Sequence, residues 1–237
     1  VEKVNSELPV TQYKEAILAS IKENPLTIIV AETGAGKSTQ VPQYLIEAGY
    51  NIVVTQPRRL AARTVAERVA EEVDCRIGNQ VGYRISRDGE YTSDTKCLFV
   101  TDGLALVREL MGQGNHSILI IDEVHEWNLN MEVLVAWVKL RLADDINFKV
   151  VLMSATLEAD KLSAFFDGAP IINVPGRLFP VTVQESVSAT NAEEARRLLA
   201  EGHNVLVFEP GKAEIEQTIG ALKKSGVDAV ILPLYGE

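Results

Sequence analysis

The segment that leads to Lys37 and Ser38 indicates a phosphate-binding site. An apolar, mostly β-branched run at 26–30 is followed by a turn that contains Gly34 and Gly36. A strand, a glycine-rich turn and a helix in this order are typical of a phosphate-binding loop, in which backbone N–H groups and the positive helix end bind phosphate oxygens. We expect Lys37 to reach the terminal phosphates of a nucleotide and Ser38 to bind Mg²⁺. The predicted nucleotide-binding residues are Thr33, Gly34, Ala35, Gly36, Lys37, Ser38 and Thr39. An ordinary strand-to-helix connection is the alternative.

Asp122 and Glu123 are the carboxylates that such a site needs, and they end the apolar run 117–121. We expect Asp122 to hold Mg²⁺ through water, with Ser38 and Glu123 as further oxygen ligands. Glu123 would also orient or deprotonate the attacking water. An acidic pair that caps the next helix is the alternative, but the phosphate loop upstream favours catalysis. The catalytic candidates are Glu123, Lys37 and His125.

His125, Ser154 and Thr156 are polar residues that follow strand patterns and have two interpretations. A lone histidine is commonly a surface or core residue, and the segment 154–156 is consistent with a small-residue turn that starts a helix. In the functional interpretation, His125 hydrogen-bonds across a domain cleft. Ser154 and Thr156 would then sense the terminal phosphate.

Arg58 and Arg59 follow a strand pattern at 52–54, and Thr101 follows another at 96–100. Two arginines at the start of a helix oppose its dipole, so an external anion explains them better than a solvated helix start does. We expect all three residues to contact nucleic-acid phosphates, with Thr101 adding a hydroxyl and a backbone N–H.

Helical and strand patterns alternate from residue 8 to residue 174. Helices are predicted at 8–24, 60–74 and 129–140, with buried strands between them, and the glycine-containing segment 78–100 indicates a hairpin-like excursion. This alternation predicts an α/β fold, a parallel sheet flanked by helices. Ligands bind at the carboxyl ends of the strands in such sheets, which is where the candidate residues lie.

A segment at 175–180 that contains proline and glycine interrupts this alternation and indicates a domain boundary. We expect one domain over 1–176 and the beginning of a second over 177–237. Beyond the boundary, helices are predicted at 192–201 and 213–223, and strands are predicted at 181–187, 204–208 and 229–232. These strands are too few to complete a sheet, which indicates an incomplete second domain.

Composition limits the class of protein. The 237 residues carry a net charge of −10, which counts against a polyanionic partner, although a few well-placed arginines suffice for phosphate contacts. Cys75 and Cys97 are too few for a disulfide framework and too isolated for a zinc site, so we expect reduced packing residues. No run approaches the roughly 18 apolar residues of a membrane span, and the first residues lack a secretory-signal layout. These observations predict a cytoplasmic protein.

The set of motifs resembles the DEAH-box (DEAH/RHA) family of superfamily 2 helicases. The matching segments are 31–44, 55–59, 101–103, Asp122-Glu123-Val124-His125 and 154–156, together with 175–181, 205–211 and 232–236, which resemble the inter-domain passage and the opening of the second domain. The resemblance covers nearly the whole chain. It implies a P-loop NTPase with a RecA-like parallel sheet, followed by an incomplete second RecA-like domain.

This resemblance implies an ATP-dependent helicase that binds ATP, Mg²⁺ and single-stranded nucleic acid, with RNA favoured over DNA. It assigns Arg58, Arg59 and Thr101 to the nucleic-acid backbone, and Ser154 and Thr156 to the coupling of hydrolysis with domain movement. Arg68 matches the arginine that stacks on the adenine, for which a helix-surface arginine is the alternative. The resemblance identifies no protein cofactor.

Two departures from the family pattern matter. Val124 replaces the alanine of the family name, at a position whose side chain is expected to do no chemistry. The family's later arginines have no counterpart, and loss of such an arginine finger costs on the order of 10³ to 10⁵ in rate. We therefore expect this chain to bind nucleotide, to hydrolyse it poorly and not to unwind a duplex.

Two other functions stay open at this point: a DNA or viral-type replicative helicase, and a nucleotide-gated RNA clamp that never unwinds. A kinase or a transporter ATPase is disfavoured by the set of Arg58, Arg59, Thr101, Ser154 and Thr156.

Overall fold

The computed structural model describes residues 8–145, 147–155, 159–176, 181–186, 188 and 190–235. Within those ranges the chain forms a 3₁₀ turn (Pro9–Tyr13), eight strands and eight α-helices. The strands are β1 (Leu26–Ala31), β2 (Ile52–Gln56), β3 (Val81–Ile85), β4 (Asp88–Glu90), β5 (Cys97–Thr101), β6 (Ile118–Ile121), β7 (Lys149–Ser154) and β8 (Ile171–Val174). The helices are α1 (Lys14–Glu23), α2 (Lys37–Glu47), α3 (Arg59–Glu72), α4 (Asp102–Leu110), α5 (Leu129–Asp144), α6 (Ala159–Phe165), α7 (Asn191–Ala200) and α8 (Lys212–Lys224).

The strands of the described residues form one sheet in the order β4-β3-β5-β2-β6-β7-β1-β8. Every neighbouring pair is parallel except β3 and β4, which form an antiparallel hairpin. The α/β prediction of a parallel sheet flanked by helices is therefore confirmed. Because these strands are parallel, the carboxyl ends of β1, β2, β5, β6 and β7 all lie on the same side of the molecule, along one end of the sheet.

The central strands are buried on both faces, which explains their continuous apolar runs. In β6, Ile118 and Ile120 belong to an apolar cluster that includes residues of α1, α2 and α3, whereas Leu119 and Ile121 belong to a second cluster that includes residues of α4, α5 and α6. Successive side chains of a strand point to opposite faces, so all four residues are buried. The loops at the strand ends therefore start from rigidly held positions.

The two cysteines are free, as the sequence predicts. Cys97 is buried in β5, and Cys75, which follows α3, packs against the same apolar cluster. Burial raises the pKa of the Cys97 thiol well above its usual value, so this side chain is an inert packing group.

The chain divides into two compact units between residues 178 and 179, and the second unit contains α7 and α8. The strand predictions for 204–208, 229–232 and the described part of 181–187 are wrong, because these segments pair with no strand among the described residues. A strand needs a hydrogen-bonded neighbour, which its own apolar pattern does not provide. Leu206, Phe208 and Val230 are accordingly exposed. The boundary at 176/177 and the RecA-like identity of the second unit stay predictions.

A buried carboxyl–imidazole pair lies near the amino end of β6. Glu109 Oε1, in the last turn of α4, is 3.5 Å from Nε2 of His116. Burial raises the pKa of Glu109 to about 7, against the opposing charges of Arg108 and Arg141. Burial also lowers the pKa of His116 to about 4, and the same two arginines add to that shift. The neutral forms of both groups are therefore the ones that fit this site.

We expect Glu109→Gln to stabilise the protein more at pH 8 than at pH 5. The pKa of Glu109 is higher in the folded than in the unfolded chain, so its stabilising effect is complete below about pH 4.5 and is lost as pH rises through about 7. Glutamine does not ionise, so the difference between variant and wild type should grow by about 1–3 kcal/mol across that window. Urea unfolding at both pH values measures it.

The matched control for this experiment is Glu47→Gln, which removes an exposed carboxylate that pairs with Lys14. Its effect on the free energy of unfolding should change little between pH 5 and pH 8. A Glu109→Gln effect that is the same at both pH values would contradict the burial argument.

Candidate active site

The loop between β1 and α2 requires glycine at two positions. Gly34 and Gly36 have φ angles of +83° and +90°, in the left-handed region that other residues rarely adopt. A Cβ atom on Gly36 would also lie 2.9 Å from Cδ1 of Leu8. The turn therefore delivers Lys37 as the first residue of α2, at the positive end of the helix.

A cavity of about 370 Å³ opens beside this loop. Six of the seven predicted loop residues line it, namely Thr33, Gly34, Gly36, Lys37, Ser38 and Thr39, whereas Ala35 is buried behind them. Glu123 and Arg68, both predicted from sequence, line the same cavity, and so do Leu8 and Glu72, which were not predicted. The structure thus brings the loop, two of the three catalytic candidates (Lys37 and Glu123) and the predicted base-stacking arginine to one cavity.

Lys37 and Glu123 form an ion pair across the cavity, with Nζ 2.9 Å from Oε1. The Lys37 side chain is only 5% exposed and that of Glu123 is 25% exposed. Glu123 has a φ angle of +54°, which for a non-glycine residue costs on the order of 1 kcal/mol. This left-handed residue lies two positions after the end of β6 and begins a turn. The turn is closed by the N–H of Glu126, which donates to the Glu123 carbonyl at 2.8 Å.

Asp122 is completely buried and bound by two donors. The Gln56 amide donates to Oδ2 at 2.7 Å, and the Glu123 N–H donates to Oδ1 at 2.9 Å. Burial raises the pKa of Asp122, Lys37 opposes that shift, Glu123 adds to it, and the Ser38 hydroxyl and Gln56 oppose it. A cation placed here would stabilise the charged carboxylate.

The oxygen atoms around Asp122 fit Mg²⁺. Mg²⁺ is commonly held by one or two carboxylates together with substrate phosphates and water, and Asp122 and the Ser38 hydroxyl are oxygen donors of that kind. The described residues contain no cluster of three or more His, Cys, Asp or Glu residues that could form an all-protein metal site. Glu123, the third predicted ligand, is paired with Lys37 instead.

His125 connects the ends of β6 and β7. Its Nδ1 accepts a hydrogen bond from the Ala155 N–H at 3.3 Å, so the proton of the neutral ring is on Nε2. Oε2 of Glu123 lies 3.4 Å from the same Nδ1, a contact that is not a hydrogen bond in this tautomer. Ser154, the last residue of β7, is buried beside this contact, and Thr156 lies outside the described residues. The cleft and coupling roles stay predictions.

Arg58, Arg59 and Thr101 lie at the ends of two paired strands. Thr101 ends β5 in register with Gln56 of β2, and Arg58 and Arg59 open α3 with exposed side chains. Arg58 Nη2 is 3.1 Å from Oε2 of Glu126, in an exposed ion pair that contributes about 0–1 kcal/mol. An incoming phosphate could therefore replace this pairing at little cost.

Arg68 is held by Glu72, four residues later on α3, with Nε donating to Oε1 at 2.6 Å. Glu72 also accepts hydrogen bonds from two side chains of α2, Gln40 and Gln43. The sequence offered two signals for this cluster: the i, i+4 spacing of Arg68 and Glu72, and the two glutamines among apolar residues of α2. The sequence did not show that these side chains meet at Glu72.

Asn128, also not predicted, ties the turn after β6 to the end of β5. Its Oδ1 accepts from the Met131 N–H at 3.1 Å and caps α5, and its Nδ2 donates to Oδ2 of Asp102 at 3.0 Å. Asp102, the first residue of α4, is buried, and burial raises its pKa while Asn128 and Thr55 oppose the shift. One amide thus caps a helix and donates to one oxygen of a buried carboxyl.

We expect Asn128→Ala to lower the free energy of unfolding by about 1–3 kcal/mol, because it removes a helix cap and a donor to a buried carboxyl. Asn128→Ser keeps a capping oxygen and should recover part of the loss. Denaturant unfolding measures both variants, with Asn130→Ala, an exposed residue of the same helix, as the control. Equal stability of Asn128→Ala and the control would contradict the assigned role.

Comparison with known proteins gives consistent matches. The family model described as DEAD/DEAH box helicase matches residues 11–165. The chain is 37% identical over 241 residues to the probable ATP-dependent RNA helicase DHR2 of Saccharomyces cerevisiae, covering 94% of this chain and 32% of that protein. It is 36% identical over 261 residues to the probable ATP-dependent RNA helicase DHX34 of Homo sapiens, covering 99% of this chain and 23% of that protein. The chain thus spans a third or less of these relatives' length.

Proposed function

Because this chain belongs to the DEAD/DEAH box helicase family, we propose that it is the ATP-binding region of an ATP-dependent RNA helicase. The observation that carries the proposal is the Lys37–Glu123 pair at 2.9 Å, inside the cavity that the phosphate loop lines. The pair brings an ammonium group and a carboxylate into one cavity, which supports phosphate binding by Lys37 and water activation by Glu123. The names of both relatives support ATP and RNA as the ligands.

In this proposal the pair separates when nucleotide binds. The loop N–H groups and Lys37 bind the phosphate oxygens, so Glu123 loses its partner and becomes able to accept a proton from water. Asp122 and Ser38 would hold Mg²⁺, which would supply charge neutralisation at the terminal phosphates. Arg68, which lines the same cavity, would stack on the base.

We further propose that single-stranded RNA crosses the edge where β2 and β5 end. Arg58, Arg59 and Thr101 would contact its phosphates, which position the strand without reading its sequence. Arg58 would exchange Glu126 for a phosphate. Because Glu126 donates its N–H to the Glu123 carbonyl, this exchange would reach the turn that carries the proposed base. A DNA helicase is disfavoured by the relatives' names, and a non-unwinding clamp stays an alternative to be tested.

None of the helices in the described ranges has the length and apolar character that crossing a bilayer requires. The predictions of a cytoplasmic location, of a DEAH-type subfamily and of weak hydrolysis by this chain remain part of the proposal.

We expect Lys37→Ala to weaken ATP–Mg²⁺ binding roughly ten- to a hundredfold, the effect of losing one or two charge-assisted hydrogen bonds.

Glu123→Gln should keep nucleotide affinity within a few-fold of the wild-type value. In the full-length protein, however, it should lower RNA-stimulated hydrolysis on the order of 10² to 10⁴ and abolish unwinding.

Nucleotide titration and steady-state hydrolysis measure these two variants. Unchanged ATP affinity in Lys37→Ala would rule out the proposed site. Unwinding that persists in Glu123→Gln would remove Glu123 from catalysis, and full-length wild type that hydrolyses ATP without separating strands would support the clamp.

We expect Arg58→Ala to weaken RNA binding and to make it less dependent on salt. Each phosphate contact on a single strand contributes roughly 0.7 to the slope of log K against log salt, so the slope should fall by about that amount. Fluorescence anisotropy with labelled oligouridine and oligothymidine at several salt concentrations measures the slope and the RNA preference. Arg63→Ala, which removes an exposed arginine paired with Glu67 on the same helix, should leave the slope unchanged.

A further inference from the structure

Glu72 lines the cavity beside the phosphate loop, and three side chains converge on its carboxylate. It accepts hydrogen bonds from Arg68 Nε at 2.6 Å, from Gln40 Nε2 at 2.7 Å and from Gln43 Nε2 at 2.7 Å. Its side chain is only 8% exposed. Burial opposes ionisation of the carboxyl, but the three donors hold its pKa below the usual value. Glu72 is therefore a carboxylate at neutral pH, and its negative charge is stabilised by these three donors.

The cluster joins the helix of the phosphate loop to the helix of the base-contact candidate. Gln40 and Gln43 lie on α2, which begins at Lys37, whereas Arg68 and Glu72 lie on α3. Glu72 thus accepts hydrogen bonds both from Arg68 on its own helix and from two side chains of the helix that follows the loop. Arg68 itself stays 48% exposed and lines the cavity with Lys37 and Ser38.

The contacts also limit how Arg68 can meet a ligand. Its Nε is occupied by Glu72, and its Nη1 lies 3.8 Å from Oε2 of Glu71. Two carboxylates therefore lie close to guanidinium nitrogens, and their charge offsets the charge that would attract phosphate. Stacking on an aromatic ring uses a flat face of the guanidinium rather than these nitrogens, so it remains compatible with both contacts.

We propose that Glu72 is a positioning residue for nucleotide binding. It holds the Arg68 guanidinium with one face towards the base, and its hydrogen bonds to Gln40 and Gln43 fix the position of that guanidinium relative to α2, the helix that follows the phosphate loop. This inference rests on the proposed function, in which the cavity binds ATP. In this proposal Glu72 acts on nucleotide affinity through Arg68. A free Arg68 would sample many rotamers, and ordering it on binding would consume part of the stacking energy.

The proposed role of Glu72 concerns the base of the nucleotide and not its phosphates. Glu72→Gln should affect ligands that carry a base and should spare a ligand that is only phosphate. Isothermal titration of the 237-residue chain with ATP and with inorganic tripolyphosphate, both with Mg²⁺, makes this comparison. We expect ATP affinity to fall roughly three- to tenfold, the size of one cation–π contact, and tripolyphosphate affinity to stay within about twofold. GTP and CTP should lose affinity as ATP does, because a face contact does not distinguish bases.

Three outcomes would overturn the proposal. An equal fall for ATP and tripolyphosphate would make Glu72 a support of the loop rather than of Arg68. No fall for either ligand would show that Arg68 needs no positioning. A wild-type chain that binds neither ligand would refute the nucleotide site itself, and the inference with it.

A double-mutant cycle isolates the link between the two residues. Arg68→Ala should weaken ATP binding at least as much as Glu72→Gln does, and Glu72→Gln should cause no further loss in the Arg68→Ala background. Additive losses would mean that Glu72 does not act through Arg68. Glu67→Gln is the control, because Glu67 lies on the same helix but pairs with Arg63. Thermal melting of each variant tests whether it is folded. Because the Arg68 side chain is half-exposed, its truncation to alanine tests the base contact even if Glu72→Gln is destabilised.

Discussion

The buried ammonium group of Lys37 constrains the whole candidate site. A charge that is 5% exposed needs a carboxylate partner, because desolvation otherwise costs several kcal/mol. The partner, Glu123, follows β6, and β7 lies between β6 and the strand that carries the loop. The pair can form only if three neighbouring parallel strands end at the same level. The apolar packing on both faces of the sheet ensures this, so the stability of the core and the geometry of the site depend on each other.

The turn from Glu123 to Asn128 gathers contacts from the neighbouring strand ends. Glu123 meets Lys37 from the loop after β1, and His125 accepts from Ala155 after β7. Glu126 pairs with Arg58 after β2, and Asn128 binds Asp102 after β5. The proposed sites for nucleotide and for RNA are thus separated by a few residues of one short turn. A shift in either site has a direct physical route to the other.

The two units of the chain show what a strand requires. In the first unit each apolar run has parallel neighbours and forms a ladder, as β6 does between β2 and β7. In the second, 204–208 and 229–232 have comparable apolar content but no ladder among the described residues. Propensity describes one segment, whereas a strand is a property of at least two. Local pattern therefore predicted the helices α7 and α8, whose hydrogen bonds are internal, better than it predicted strands.

The sequence by itself determined the features that depend on adjacent residues. The positive φ angles at Gly34 and Gly36 need residues without a Cβ, and doubly buried strands need continuous apolar runs, so the loop, the parallel sheet and the carboxylates at the end of β6 were all predictable. Only the tertiary structure decided the partners of these groups. Glu72 beneath Arg68, Glu126 beside Arg58 and Gln56 on Asp122 were not predicted. The physical reason is that a side-chain hydrogen bond forms only within about 3 Å, and packing, not separation along the chain, sets that distance.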